Sequence, residues 1–285
     1  MKIAIASGKG GTGKTFISTN LFRTMESSGL DVTLADCDTE VPNDSIFVKK
    51  KLQDEWQTDI MCPEIDKDKC LFCGACAEYC NYNAITCVPA VKFITFAKEL
   101  CHSCGACLMA CRHGAIKAGK KKVGKVSAFG DGKRNNFFEG RIREGQNSSV
   151  PVIKAVKSRA ELSGSEYLIL DAPPGCTCPF VNTVMDADKV VLVTEPTPFG
   201  LSDLKHTISV LRKMEKKFSV IINRADLGDR EMRDYLVGEK IEILAEIPYS
   251  EAVATHYAKG ETVVDSMPEM RSLFENLMNR IIEKD

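Results

Sequence analysis

The stretch SGKGGTGKT, residues 7 to 15, decides the fold that this sequence predicts. Gly8, Gly13, Lys14 and Thr15 match G-x-x-x-x-G-K-[ST], the pattern of a glycine-rich loop whose backbone N–H groups cradle phosphates. The apolar run KIAIAS before the loop predicts a buried strand, and TFISTNLFRTMESSG after it has the apolar spacing of a helix. Because the motif needs this strand and this helix around it, the sequence predicts a nucleotide site.

The residue types of the loop suit phosphate and magnesium. A helix N-terminus favours negative charge, Lys14 can reach the β- and γ-phosphates, and Thr15 supplies a hydroxyl ligand for Mg²⁺. We expect the nucleotide to contact nine consecutive residues, namely Gly8, Lys9, Gly10, Gly11, Thr12, Gly13, Lys14, Thr15 and Phe16.

The rest of the chain predicts an α/β fold with a doubly wound, mostly parallel sheet. Nearly continuous apolar runs are typical of parallel strands that are covered on both faces. Such runs are DVTLADCD (31–38), YLILD (167–171), KVVLVTE (189–195), FSVIIN (218–223) and IEILAEIP (241–248). Residues 200–217 and 230–238 predict helices between the later strands.

Two cysteine runs interrupt this alternation. CLFCGACAEYC (70–80) and CHSCGACLMAC (101–111) share the spacing C-x₂-C-x₂-C-x₃-C and contain eight of the thirteen cysteines. In a reducing cytosol, cysteines this close together indicate metal ligands rather than disulfides. The sequence therefore predicts a metal-binding insertion.

The spacing is that of bacterial two-cluster ferredoxins, in which the last cysteine of each run binds the other cluster. It predicts one 4Fe–4S cluster on Cys70, Cys73, Cys76 and Cys111, and a second on Cys101, Cys104, Cys107 and Cys80. Zinc is the alternative, but zinc ribbons usually divide their ligands between two separate C-x₂-C pairs. The proline that usually follows the last cysteine in those ferredoxins is replaced by Asn81 and Arg112.

These observations predict three segments. Residues 1–58 and 119–285 would form a P-loop NTPase domain from both ends of the chain. Residues 59–118 would form a small inserted α+β domain of the bacterial ferredoxin type.

Lys9 extends the phosphate-loop motif. KGGTGKT, with a lysine at its start and another at its end, resembles the deviant Walker A motif of the ParA/MinD superfamily of ATPases. DCDTEVPN (36–43) and LILDAPPG (168–175) resemble the acidic motif and the Walker B region of that superfamily. With its cysteines, the chain is similar to the Mrp-type and nitrogenase-iron-protein branches.

The resemblance implies ATP and Mg²⁺ as cofactors and roles for particular residues. Lys9 would reach the nucleotide of a second subunit in an ATP-dependent homodimer, and with Lys14 and Asp38 it would act in catalysis. Asp38 would orient the attacking water, while Asp36 and Asp171 would lie near Mg²⁺. Two further residues, Asn223 and Pro248, occupy the positions that contact adenine in the superfamily.

Cys176 and Cys178 follow the Walker B region. In the related nitrogenase iron protein a cysteine at this position binds a cluster that bridges two subunits. The two residues are therefore either reduced thiols in a switch loop or ligands of a third, bridging cluster.

Charge and composition restrict the partners. The net charge is −1, and there is no run of apolar residues long enough to cross a membrane and no signal peptide, so we expect a cytoplasmic protein. Residues 119–159 carry a net charge of +8, which predicts a solvated face, with an acidic redox protein or DNA as alternative partners. The C-terminal segment 270–282 predicts an amphipathic helix packed on the sheet, since its polar face lacks the basic excess of a membrane-surface helix.

The sequence leaves three functions open. The first is an ATPase that couples a dimer switch to electron transfer through two clusters, with an unidentified redox partner. The second is an iron–sulfur or metallocofactor assembly factor of the Mrp type, with a cluster-acceptor partner. The third is a positioning ATPase of the ParA/MinD type with structural or redox-sensing clusters. We expect neither nucleic acid nor a membrane to be a main partner.

Overall fold

The computed structural model describes residues 1–228 and 230–283, and within them the chain forms eleven strands and nine α-helices. The strands are β1 (Lys2–Ala6), β2 (Val32–Asp36), β3 (Lys51–Ile65), β4 (Ile85–Val88), β5 (Phe93–Phe96), β6 (Ile116–Gly130), β7 (Asn135–Ile142), β8 (Tyr167–Asp171), β9 (Lys189–Thr194), β10 (Phe218–Asn223) and β11 (Ile243–Ile247). The helices are α1 (Lys14–Ser27), α2 (Ala75–Glu78), α3 (Ala106–Ala110), α4 (Val150–Glu161), α5 (Cys178–Val184), α6 (Pro198–Lys213), α7 (Glu231–Gly238), α8 (Glu251–Ala258) and α9 (Pro268–Ile282).

The main sheet contains nine strands in the order β11-β10-β9-β1-β8-β2-β7-β6-β3. The first seven in this order run parallel, whereas β6 is antiparallel to both β7 and β3. The predicted strands β1, β2, β8, β9, β10 and β11 are all present, and most of their residues are buried because helices cover both faces. The doubly wound, mostly parallel α/β fold is therefore confirmed.

A long antiparallel ribbon occupies the edge of this sheet. β3 and β6 pair from Lys51–Gly130 at one end to Ile65–Ile116 at the other. The boundaries predicted at residues 59 and 118 fall inside these two strands, so neither position marks a break in the structure. The segment that leaves the main sheet is residues 66–115, which we call the cysteine lobe.

The cysteine lobe has a small core of its own. β4 and β5 form a separate two-stranded sheet, and the helices α2 and α3 pack beside it. Its buried apolar residues are Cys76, Ile85, Ile94, Cys107 and Ile116, the last being the first residue of β6.

The strand register fixes where the cysteine lobe lies. Asp36 on β2 pairs with Glu139, which is level with Ser127 and Glu55 on the next two strands. From Glu55, β3 continues to Ile65, a rise of about 30 Å at ~3.3 Å per residue. Because β3 runs in the same direction as β2, the lobe projects beyond the edge at which the parallel strands end.

Basic residues of the segment 119–159 make contacts within the fold. Lys125 on β6 forms an ion pair of 2.6 Å with Glu55 on β3. Lys157 is buried on α4 and forms an ion pair with Asp186. The Arg159 guanidinium lies 4.2 Å from the centre of the Trp56 ring. These three residues are therefore occupied within the fold, and the solvated face predicted for the segment as a whole stays a prediction.

The C-terminal helix packs as expected. α9 buries Met270, Phe274, Leu277, Met278 and Ile281 in the core on the α1 side of the sheet. Phe274 meets Phe16, the residue after the phosphate loop, edge to face at a ring distance of 5.7 Å. Among the residues described, no helix has the length and apolar character needed to cross a bilayer.

We expect Phe274→Ala to destabilise the protein by about 3–5 kcal/mol, because it leaves a cavity beneath the phosphate loop. Chemical denaturation followed by circular dichroism measures this change. Asn276→Ala, at an exposed position of the same helix, is the control and should stay within about 0.5 kcal/mol of the native protein. Equal stability of the two variants would contradict the packing described.

Candidate functional site

A cleft of about 430 Å³ opens where β1, β2, β8 and β10 end. The predicted site residues that line it are Gly10, Gly11, Gly13, Lys14, Thr15, Phe16, Asp38, Asn223 and Pro248. The opposite wall contains Tyr249, Val253 and Tyr257, which the sequence analysis did not single out. An apolar wall beside a glycine-rich loop suits a nucleotide base next to its phosphates.

The loop needs glycine where its backbone turns. Gly11 and Gly13 have φ values of +81° and +95°, the left-handed region that glycine adopts without strain. A Cβ on Gly13 would lie 2.3 Å from the side-chain nitrogen of Asn223. That nitrogen donates a hydrogen bond of 2.9 Å to the carbonyl oxygen of Thr12. Asn223 therefore holds the loop from the end of β10, and a contact with adenine stays a prediction for it and for Pro248.

Lys14 and Thr15 meet the last residue of β8. The Lys14 ammonium donates to Asp171 at 2.9 Å, and the Thr15 hydroxyl oxygen lies 3.1 Å from the other carboxylate oxygen. Burial disfavours the charge on Lys14, but attraction to Asp171 outweighs it, so the pKa of Lys14 is raised. Lys14 is therefore a fixed cation at the position where the motif places phosphate.

Asp36 shapes the loop that follows β2. Its carboxylate accepts backbone N–H bonds from Asp38 and Asn43 at 3.0 Å each, and from Asp44 at 3.1 Å. This loop places Asp38 in the cleft, where burial, opposed by nearby Lys14, raises the pKa of the Asp38 carboxyl. Its role in orienting water stays a prediction.

Asp44 is a site residue that the sequence analysis missed. Carboxylate oxygens of Asp36, Asp44 and Asp171 lie within 4.8 Å of one another, and all three residues are fully buried. Both oxygens of Asp44 are buried without a hydrogen-bond partner. Carboxylates are the hard oxygen donors that Mg²⁺ prefers, so these residues fit the predicted metal. No sequence signal marks Asp44, because its burial follows from the folding of residues 37–44 around Asp36.

Three other loop residues lie outside the cleft lining. Gly8 packs against Asp203 of α6, and Thr12 is buried. Lys9 is half-buried, and its carbonyl oxygen accepts a hydrogen bond of 2.8 Å from the Ser7 hydroxyl. Lys9 therefore does not line the cleft of its own chain. Its contact with the nucleotide of a second subunit stays a prediction.

Two small cavities in the cysteine lobe divide the eight cysteines across the two runs. One is lined by Cys70, Cys73, Cys76 and Cys111, and the other by Cys80, Cys101, Cys104 and Cys107. Each cavity thus combines three cysteines of one run with the last cysteine of the other. Cys87, which lies outside the spacing pattern, also lines the first cavity.

The two runs have matching backbones. Phe72 and Ser103 both have left-handed φ values, of 53° and 57°, and each is followed two residues later by a left-handed glycine. Backbone N–H groups point at three of the sulfurs: Phe72 N–H at Cys70, Ser103 N–H at Cys101 and Ala84 N–H at Cys80, over 3.4, 3.5 and 3.3 Å. Hydrogen bonds from N–H groups favour thiolates, the form that binds metal.

The sulfur spacing bears on the choice of metal. Nowhere in residues 1–228 and 230–283 do three cysteine sulfurs lie within 4.8 Å of one another. Tetrahedral zinc with Zn–S bonds of about 2.3 Å holds its sulfurs ~3.8 Å apart. No three of the described cysteines are therefore as close together as a single zinc ion would hold them.

Cys176 and Cys178 lie apart from the cysteine lobe. Cys178 is exposed at the first position of α5, and Cys176 is half-buried in the loop before it. Whether they bind a bridging cluster stays a prediction.

We expect Gly13→Ala to weaken ATP binding by more than about tenfold, because the new methyl group strains the loop and displaces Asn223. Isothermal titration calorimetry measures the binding, and thermal unfolding checks the fold. Gly10→Ala is the steric control for folding, since no atom lies within 4 Å of a Cβ at that position. Native affinity in Gly13→Ala would contradict the loop geometry.

Comparisons with known proteins show the family of the chain. The family model "CobQ/CobB/MinD/ParA nucleotide binding domain" matches residues 3–263. Two uncharacterized proteins of Methanocaldococcus jannaschii are 31 % and 29 % identical over 99 % of this chain and 97 % and 98 % of their own length. The septum site-determining protein MinD of Thermotoga maritima is 32 % identical over 126 residues, which are 41 % of this chain and 46 % of that protein.

Solved structures show the same fold. MinD of Pyrococcus horikoshii, complexed with Mg-ADP, superposes with a TM-score of 0.59 at 19 % identity and covers 99 % of this chain and 96 % of its own. The MinD cell division protein of Aquifex aeolicus has a TM-score of 0.57 at 19 % identity, over 100 % of this chain and 98 % of its own. With the family model matching most of its length, the chain belongs to the MinD/ParA superfamily of P-loop ATPases.

Proposed function

We propose that this chain is an ATP-hydrolysing iron–sulfur protein. In this proposal it binds two 4Fe–4S clusters in the cysteine lobe and couples an ATP-dependent dimer to electron transfer. The similarity to the Mrp-type and nitrogenase-iron-protein branches belongs to the same proposal.

The observation that carries the proposal is the division of eight cysteines into two cavities, each built from both runs. This arrangement is the one that the ferredoxin spacing predicts. When bound, such clusters accept and donate single electrons. The chain's own part is to present thiolates, to donate backbone N–H groups to them, and to leave Cys73 and Cys104 at the surface where a redox partner can approach.

The cleft supports ATP hydrolysis. Lys14 would bind the β- and γ-phosphates, and Thr15 with the neighbouring aspartates would hold Mg²⁺. Asp38 would orient the water that attacks the γ-phosphate. The structure of a MinD with Mg-ADP supports this choice of nucleotide and metal.

A continuous set of backbone hydrogen bonds links the cleft to the ribbon. Thr39, next to Asp38, accepts a bond of 2.8 Å from the Ile142 N–H at the end of β7. The next residue, Arg143, donates over 2.8 Å to Val123 on β6. β6 continues directly into the cysteine lobe, so a movement of the loop around Asp38 displaces the strand that supports the lobe.

A MinD-type positioning ATPase is the second candidate. It is favoured by the fold similarity to MinD cell division proteins and to the McdA protein of Cyanothece. In that case the cysteine sites would serve structure or redox sensing. ATPase activity stimulated by DNA or vesicles supports this candidate, whereas ATP-dependent electron transfer to a low-potential acceptor supports the first.

Anaerobically purified protein is expected to contain about eight iron atoms per chain, four for each cluster. Because each cavity contains a cysteine of the other run, Cys80→Ser should remove the same EPR signal as Cys101→Ser. Likewise, Cys111→Ser should remove the same signal as Cys70→Ser. Cys178→Ser, outside the lobe, is the control and should keep the EPR signals of both lobe clusters. Stoichiometric zinc in place of iron, or loss of a lobe signal with Cys178→Ser, would contradict the assignment.

Substitution of each loop lysine in turn should separate ATP binding from dimerisation. We expect Lys14→Ala to lose ATP binding. Lys9→Ala should still bind ATP but stay monomeric, with a hydrolysis rate lowered by roughly 10³-fold, the range known for charges supplied in trans. Calorimetry, light scattering with ATP and phosphate release measure the three properties. A Lys9→Ala protein that dimerises and hydrolyses ATP normally would refute the role in trans.

A further inference from the structure

We propose that Asp36, Asp44 and Asp171 form a divalent-cation site that binds its ion without nucleotide, and that Asp44 is the residue that makes this possible. The inference rests on the proposed ATP site and adds to it a ligand and an order of binding. Neither the loop motifs nor the family comparison assigns a role to Asp44.

The three carboxylates differ in how their oxygens are used. Those of Asp36 accept three backbone N–H bonds from the loop. Those of Asp171 face Lys14 and Thr15. Those of Asp44 have no partner, although the residue is 0 % exposed. Asp44 therefore has both oxygens available for a ligand within a closed, polar site.

The charge balance requires a cation or a proton. The three buried carboxylates are those of Asp36, Asp44 and Asp171. Among the charged groups that act on Asp44, Lys14 is the single lysine. A buried carboxylate without a partner is costly, and like charges at this distance repel. A dication at this point neutralises the excess charge and gives the Asp44 oxygens a ligand.

The atoms that would coordinate the ion determine which metals the site favours. The Thr15 hydroxyl lies 3.1 Å from Asp171 and 3.1 Å from the side-chain oxygen of Asn43, so oxygen atoms also surround the carboxylates. A donor set of oxygens suits Mg²⁺ or Mn²⁺ and disfavours soft metals.

The number of carboxylates determines the order of binding. Magnesium in nucleotide enzymes is usually held by one or two carboxylates together with the phosphates, so the ion arrives with the nucleotide. Here three carboxylates converge on one point, which is more than such a site usually provides. The ion therefore binds first, and the phosphates then meet Lys14, which is paired with Asp171.

Backbone contacts fix Asp44 in this position. Its own N–H donates to Asp36 at 3.1 Å, and the residue begins a short 3₁₀ turn, Asp44–Ile46. Phe47, just after the turn, packs against Tyr257 of the opposite wall at a ring distance of 4.7 Å, with the ring planes tilted by 30°. Asp44→Asn keeps the shape of the side chain and removes one charge, so it tests the charge alone.

The test is a Mn²⁺ titration of nucleotide-free protein, followed by the EPR signal of free Mn²⁺. We expect one tightly bound Mn²⁺ per chain, displaced by Mg²⁺, and an affinity about 10- to 100-fold lower in Asp44→Asn. Glu40→Gln, which removes an exposed acid of the same loop, is the control and should bind as the native protein does. Mn²⁺ that binds only with ATP, or equally well to Asp44→Asn, would overturn the proposal.

Thermal unfolding gives a second measurement. Mg²⁺ alone should raise the melting temperature of the native protein and of Glu40→Gln, but not that of Asp44→Asn. A native protein that Mg²⁺ alone fails to stabilise contradicts the site, whatever the variant does.

ATP binding and hydrolysis measured on the same samples separate the two proposals. Protein that hydrolyses ATP but takes up Mn²⁺ only with the nucleotide retains the proposed function and lacks the site inferred here. Protein that binds Mn²⁺ alone but neither binds nor hydrolyses ATP has the cation site and lacks the proposed function.

Discussion

The buried ion pair between Lys14 and Asp171 is the constraint on which the cleft depends. It joins the first residue of α1 to the last residue of β8, and the two side chains are 8 % and 0 % exposed. The backbone oxygen of Asp171 also accepts the Cys37 N–H at 2.9 Å, so the same residue holds the start of the loop after β2. Loss of one partner of such a pair costs about 3–5 kcal/mol, because the other charge stays buried.

Asp36 organises the second half of the cleft in the same way. Its three backbone hydrogen bonds wind residues 38–44 around a single carboxylate. This winding brings Asp38 to the cleft and Asp44 beneath it. Negative charge is thus concentrated at one point, and among the described residues Lys14 alone forms an ion pair with it. Folding places this charge there at a cost in stability. A divalent cation, as proposed above, would neutralise it.

The sequence predicted the parts of the molecule whose signals are local. Six strands of the parallel sheet were evident because each is a continuous apolar run, and the phosphate loop was evident because its glycines and lysine follow a fixed spacing. The spacing also predicted that Cys80 joins the second run and Cys111 the first, and each cavity is lined by that combination of cysteines. That the cavities bind clusters stays a prediction.

The parts that were missed depend on contacts between distant residues. More than half of the residues of β3 are exposed, and it is held as an edge strand by pairing with β6 and by contacts such as Lys125 with Glu55. Such a strand has no apolar alternation to reveal it. Asp44 was missed for a related reason, since a carboxylate after Asn43 suggests a solvated turn until the loop folds around Asp36.

The ribbon of β3 and β6 affects how the cysteine lobe is held. Beyond the Gly124–Ile142 pair β7 ends, and β6 pairs only with β3 up to the cysteine lobe. A two-stranded ribbon twists easily and is marginally stable alone. The orientation of the lobe therefore depends on its side contacts, such as the hydrogen bond from Asn147, after β7, to the Glu99 carbonyl, and β7 is the strand tied to Thr39 beside the cleft.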